Sequence, residues 1–254
     1  MRITVVIAVL TLSFALLGSC NMALAKEDST ASADLLIKTV EIPGAVDLGE
    51  SLVHPGSPLY FLKTLREKIE VALDGTPETK SMRQVEFAQR RLREVNSLVK
   101  ARKQDLIPQT LEAYKVHLQK AEQFSKIDEE LTVKVGEAIA RHLDVLQRVY
   151  DNVGNPTAKA AIRAAIERSE EQNSRLIEKL STVPQQKLIR KIAGRQAYAC
   201  NFLMREATSS GLNDSERESL KKRVETCRAD IIKSLKDELE ELKKTPSTPS
   251  ATSR

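Results

Sequence analysis

The chain has 254 residues, with 40 Lys and Arg against 35 Asp and Glu, no Trp and only 4% aromatics. A net charge of +5 drawn from so many ions of both signs is not the concentrated basic face of a nucleic-acid binder, and so few aromatics make no stacking platform for bases. The basic clusters Arg90-Arg91-x-Arg93, Lys100 to Lys103 and Lys221 to Arg223 are interleaved with Glu and Asp, as on solvated helix faces, so no nucleic-acid partner is expected.

The N-terminus reads as a targeting segment. Arg2 is the only charge before Lys26, Ile3 to Leu17 is almost unbroken apolar sequence, and Ala23-Leu24-Ala25 supplies small residues at a cleavage site. Those are the three parts of a secretory signal, which sets residues 1–25 outside the fold and the mature chain outside the cytoplasm, periplasmic or secreted. Leu17-Gly18-Ser19-Cys20 offers a second reading, because it is similar to the lipobox of bacterial lipoproteins with Cys20 as the lipidated residue. A membrane is expected as a partner only in that lipid-anchored case. Loss of residues 1–25 removes Arg2 alone among the charges, leaving 39 − 35 = +4.

Residues 26–53 read as a flexible tether, polar at first and then broken by Pro43, Gly44 and Gly49. Residues 245–254 are a Pro/Ser/Thr tail expected to be disordered. Between them the apolar residues recur at three and four, and no run alternates with period two, so the expected class is all-α with about six helices. Ser57-Pro58, Thr76-Pro77 and Asn155-Pro156 each place a capping side chain before a proline, the N-cap then N1 arrangement.

The first helix is expected over about Pro58 to Leu73, with Leu62, Leu65, Ile69 and Ala72 inward. The second is expected over Pro77 to Arg102, with Val85, Ala88, Leu92, Val95 and Val99 inward. A third begins near Pro108 and reaches toward Asn152, roughly 65 Å if unbroken, with a bend expected near 125–130 or at Gly136. The fourth covers Thr157 to Leu180 and the fifth starts near Pro184. The sixth is capped by Asn213 with Glu216 at the capping-box position. Narrow apolar stripes between dense charge suggest an elongated antiparallel bundle of coiled-coil-like hairpins, divided near Gly154 into helical segments 54–153 and 154–244.

With Cys20 lost or lipidated, two cysteines remain. Cys200 and Cys227 lie equally far from the turn near Asn213, which puts them at similar heights in a helical hairpin. In an oxidising compartment they are expected to form a disulfide, worth about 3 kcal/mol on chain-entropy grounds, against the alternative of two buried thiols. Metal chemistry has little support. EAYKVHL and EAIARHL place Glu and His five apart, about 140° around a helix, and the Glu-x-x-His of bundle di-metal sites is absent. His117 and His142 therefore read as core or boundary residues, and His54 as a lone loop histidine. Carboxylate pairs such as Glu129-Glu130, Glu170-Glu171 and Glu240-Glu241 read as helix-surface charge. No nucleophile elbow, phosphate loop or haem-attachment motif occurs, so neither catalytic residues nor cofactors are expected.

The strings PGSPLYFLKTLREKIEVAL, KSMRQVEFAQRRLREVNSLV and LEAYKVHLQKAEQ resemble a bacterial domain of unknown function found in exported proteins. The resemblance rests on Pro55, Ser57, Pro58, Tyr60 and Lys63, then on Ala88, Arg91, Leu92 and Glu94, and later on His142, Leu143, Val145 and Leu146. It covers about residues 52–150, reaching toward 182, and implies a helical extracytoplasmic domain with its activity open. Tyr60 and Lys63 have two readings: packing and local pairing against the second helix, or a partner surface.

The expected function is non-enzymatic binding to an envelope protein through helical faces, which also allows a homo-oligomer. The alternatives are an ATP-independent periplasmic chaperone, against which the scarcity of exposed apolar residues counts, and a metal-binding protein.

Overall fold

Helix punctuation written in the sequence sets most element boundaries. The computed structural model describes residues 49–209 and 211–244; the expected signal with Cys20, residues 26–48 and the 245–254 tail lie outside these. The described residues form seven α-helices and no strand: α1 Tyr60–Leu73, α2 Pro77–Lys100, α3 Ile107–Ser125, α4 Glu129–Asp151, α5 Pro156–Glu178, α6 Thr182–Ala207 and α7 Asp214–Lys244, with a 3-10 turn at Gln104–Leu106. Among them no helix is long and apolar enough to cross a membrane.

Three caps stand as the sequence reading places them. Thr76 accepts from the Thr79 N–H in a capping box, Asn155 accepts from the amides of Thr157 and Ala158, and Asn213 exchanges hydrogen bonds with Glu216. Ser57 departs from that pattern. The helix starts at Tyr60 without a side-chain cap, and the Ser57 carbonyl accepts the Tyr60 N–H at 3.0 Å. PGSP is thus a turn leading into the helix. Gly56 sits in it at φ +87°, where a Cβ would lie 3.0 Å from Leu106 Cδ1. Both the left-handed backbone and the close approach demand glycine.

The expected long third helix is two helices. Its chain breaks after Ser125, and the Asp128 side chain caps α4 by accepting the Glu130 N–H at 2.9 Å. Thr132 donates back to the carbonyls of Ser125 and Asp128, which fixes the corner. Gly136 is no bend. It lies inside α4, where an added Cβ would meet Leu188 Cδ2 at 2.8 Å and Cδ1 at 2.9 Å. The missing side chain is what lets α4 and α6 approach. Leu188 is fully buried, so any shift of its side chain must displace packed neighbours. Gly136→Val is therefore expected to destabilise the protein by about 2 kcal/mol through overpacking, measured as a lower urea midpoint at unchanged m-value.

α4 is the central helix, touching α2, α3, α5 and α6. Leu131, Val133, Val135, Ala138, Ile139, Ala140, Leu143, Val145 and Leu146 cover most of its circumference, a much wider apolar face than a two-per-heptad seam. One apolar cluster runs from Val85 to Val224, so residues 54–153 and 154–244 share a core. α6 and α7 form the hairpin that closes the bundle, and Cys200 and Cys227 are joined across it with Cα atoms 6.1 Å apart.

α1 reverses its expected orientation. Leu62, Leu65 and Ile69 are about half exposed, and Phe61 and Leu73 more so. Its inward residues are Tyr60, Lys63, Glu67 and Glu70, on the opposite side: Leu65 and Glu67 are two residues, about 200°, apart around the helix. The reason lies in α2. Its stripe of Val85, Ala88, Leu92 and Val95 is already in the bundle core, and the face it offers α1 carries Glu86, Arg90, Arg91 and Glu94.

Candidate functional site

The contact between α1 and α2 is made almost wholly of ions. Arg91 sits at its centre, 1% exposed. Its guanidinium donates to both oxygens of Glu67, to the Tyr60 hydroxyl and to Glu94 at 3.0 Å. Tyr60 in turn donates to Glu94 Oε2 at 3.2 Å. Lys63 reaches Glu94 Oε1 at 2.6 Å and donates to Ser51 Oγ and the Val53 carbonyl, so it also ties the incoming chain to the helix pair. Around this core Arg90 bridges Glu70 at 3.0 Å and Glu86 at 2.6 Å.

Burial pushes the Tyr60 phenol up to about 12, and Glu94 adds to the shift. Burial also raises the Glu67 carboxyl, against the pull of Arg91. Tyr60 and Lys63 are thus half-buried members of the network, and the packing reading is the one their contacts match. The surface α1 offers to solvent lies on its other side.

Beside the network is a cleft of about 470 Å³ lined by Pro55, Tyr60, Val71, Phe87, Arg91 and His117 among others. His117 hydrogen-bonds Gln84 at 2.8 Å and packs edge-on against Phe87. Burial lowers its pKa to about 4 and that of His142, stacked near Tyr114, to about 3. Both are neutral at ordinary pH, and among the described residues neither belongs to a group that could hold a metal ion; His54 hydrogen-bonds its neighbour's carbonyl.

A second polar centre lies where α5, α6 and α7 meet. Glu170 is 2% exposed, which overturns its assignment to surface charge. Its Oε2 lies 3.1 Å from Cys227 Sγ and 4.0 Å from Cys200 Sγ, and its Oε1 has no hydrogen-bond partner among the described residues. A disulfide sulfur carries no hydrogen, so a hydrogen bond across this 3.1 Å requires a protonated carboxyl as its donor. Burial pushes this carboxyl up to about 8, with Arg223 pulling it down and Asp230 pushing it up. Glu170, Cys200 and Cys227 are the one group among the described residues whose ligand atoms lie within 4.8 Å of one another, close enough to hold a metal ion. Joined as a disulfide, the sulfurs offer no thiolate to one. The spacing Ile162, Ile166, Glu170 follows one buried face of α5 at steps of four, and that was the available signal for an inward carboxylate.

A family described as Domain of unknown function (DUF5667) matches residues 52–156. The match takes in α1 to α4, with the Arg91 network and the outward face of α1, and stops short of Glu170 and the cysteines. No similar protein was found among curated proteins or solved structures.

Proposed function

We propose that this is a non-enzymatic extracytoplasmic protein that binds another envelope protein through the outward face of α1. One observation carries the reading. Phe61, Leu62, Leu65, Ile69 and Leu73 stand 49–79% exposed on a single short helix whose polar face is spent on docking. A contiguous exposed patch of this kind marks an interaction site. Its spacing of three and four is that of anchors read by a groove.

The charges select the occupant. The acidic residues Glu67 and Glu70 are turned toward α2, whereas Arg66, though paired with Glu70 at 2.7 Å, and Lys68 remain exposed beside the apolar stripe. The outward surface is apolar with basic flanks, which suits an apolar groove with an acidic rim. Two copies of α1 face to face would oppose basic flanks. They would also pair helices only about 21 Å long, short of the roughly 800 Å² per partner of a stable interface. The signal-like segment 1–25 supports an extracytoplasmic location, and the lack of a catalytic motif supports a binding role.

A photo-crosslinker at Ile69, compared with one at exposed Arg141, tests this in cells. One discrete protein is expected from Ile69 and not from Arg141. Its purified form is expected to bind at least tenfold more weakly to the Leu65→Glu, Ile69→Glu double variant. Equal capture from both sites, or unchanged affinity, would sink the reading. The same exposed stripe revives the chaperone alternative, since exposed apolar residues are not scarce: capture of many exported proteins would favour it, and self-crosslinks alone would favour a homo-oligomer.

A further inference from the structure

We propose that the Cys200–Cys227 disulfide is an exchangeable redox centre, reduced by dithiols entering from the cleft beside α7, with Glu170 as the acid that gives its proton to the departing sulfur. A cleft of about 320 Å³ is lined by Cys227, Glu170, Ser174 and Asp230, but not by Cys200. One sulfur of the pair therefore faces an approach path and the other is closed off. Glu170 touches the bond from the same cleft, with one oxygen on Cys227 and the other unpartnered. A static staple has no use for that carboxyl. Burying it with an orphaned oxygen costs stability that an apolar side chain of similar size would not.

The step balances. A thiolate of the dithiol bonds to Cys227 Sγ and the Sγ–Sγ bond breaks. The electron pair goes to Cys200 Sγ, which takes the proton of Glu170 across the 4.0 Å separating them. The second thiol of the reductant returns a proton to Glu170 and attacks its own mixed-disulfide sulfur. That attack releases Cys227 Sγ, which takes up the proton first shed to solvent. One dithiol becomes a disulfide and the protein disulfide becomes two thiols. Arg223 and Asp230 of α7 act on Glu170 with opposite sign, and Glu178, Lys233 and Asp237 stand around the cleft.

The test uses the oxidised full chain, dithiothreitol, and alkylation followed by mass measurement. Reduction is expected to rise in proportion to dithiothreitol concentration. Glu170→Gln is expected to slow it at least tenfold at pH 7. Divided by the thiolate concentration, the wild-type rate should fall from pH 6.5 to 9 while that of the variant stays flat. Ser174→Leu, which narrows the cleft and keeps the acid, is expected to slow reduction without changing the pH profile. It carries the test if the Gln variant does not fold. A rate that levels off at that of global unfolding would overturn the proposal. So would a folded Gln variant as fast as wild type, or an unhindered Ser174→Leu variant.

Discussion

Arg91→Met is expected to lower stability by about 3–5 kcal/mol, most of it by leaving charge without a partner. Arg91 is 1% exposed, and the carboxylates it serves, Glu67 and Glu94, are 6% and 0% exposed. Removing one member of a buried ion cluster strands the others, whereas replacing the whole cluster by apolar groups is often neutral. The triple variant Arg91→Met, Glu67→Met, Glu94→Met is therefore expected to recover most of the loss, leaving Lys63 with the Ser51 and Val53 oxygens. For a chain of this size the single change corresponds to a Tm lower by about 10 °C. The local effect is more specific. α1 meets the bundle through little besides this network, so amide exchange over residues 60–73 should rise toward that of an unfolded segment while α4 stays protected. A cost below about 1 kcal/mol, with exchange in α1 unchanged, would mean that the ions do not hold the helix. Loosening α1 should also weaken binding at its outer face without touching one residue of that face, which separates presentation of the apolar stripe from its contacts.

That inversion of α1 is where the sequence was hardest to read. Leu62, Leu65, Ile69 and Ala72 fall on a clean helical stripe, and periodicity alone sends such a stripe to the core. Which face is buried depends on what the neighbouring helix has left to offer, and α2 had already committed Val85, Ala88, Leu92 and Val95 to α3 and α4. Periodicity cannot carry that information, because it belongs to a pair of helices. Where sequence-local geometry decides, the outcome is legible: Thr76, Asn155 and Asn213 cap their helices, and the equal distances of Cys200 and Cys227 from one turn bring them together. Glu170 was missed for a different reason. Its position at four residues from Ile166 pointed inward, while its residue type pointed outward. The conflict between position and type was the clue, since such conflicts gather at functional sites.

The pH dependence of stability gives the second large effect, and its sign follows from the three buried groups whose shifts are largest in the range from pH 3 to 8. The Glu170 carboxyl stands at about 8 in the fold against an ordinary 4.5. A raised pKa contributes its full stability below 4.5. That contribution is lost as pH climbs toward 8, at about 1.4 kcal/mol per pH unit while the unfolded chain has released the proton and the folded one keeps it. His117 and His142 run the other way. Their pKa values are lowered to about 4 and 3 from 6.5, so their contribution is present above 6.5 and lost on acidification. Below pH 6.5 the two histidines outweigh the one carboxyl, and stability rises with pH. Above it the unfolded histidines give up their last protons, Glu170 comes to dominate, and stability falls. The oxidised protein is thus expected to be most stable near pH 6.5 and to lose about 1 kcal/mol by pH 8. Glu170→Gln keeps the histidines and removes the acid that opposes them, so its curve should rise more steeply on the acidic side and then stay level. Urea unfolding at pH 5, 6.5 and 8 without reductant measures all three limbs. Parallel curves for the two proteins above pH 6.5 would mean that Glu170 is already ionised in the fold. The bond to Cys227 Sγ would then have no proton to donate, and the sulfur would stand against a buried carboxylate that only Arg223 compensates.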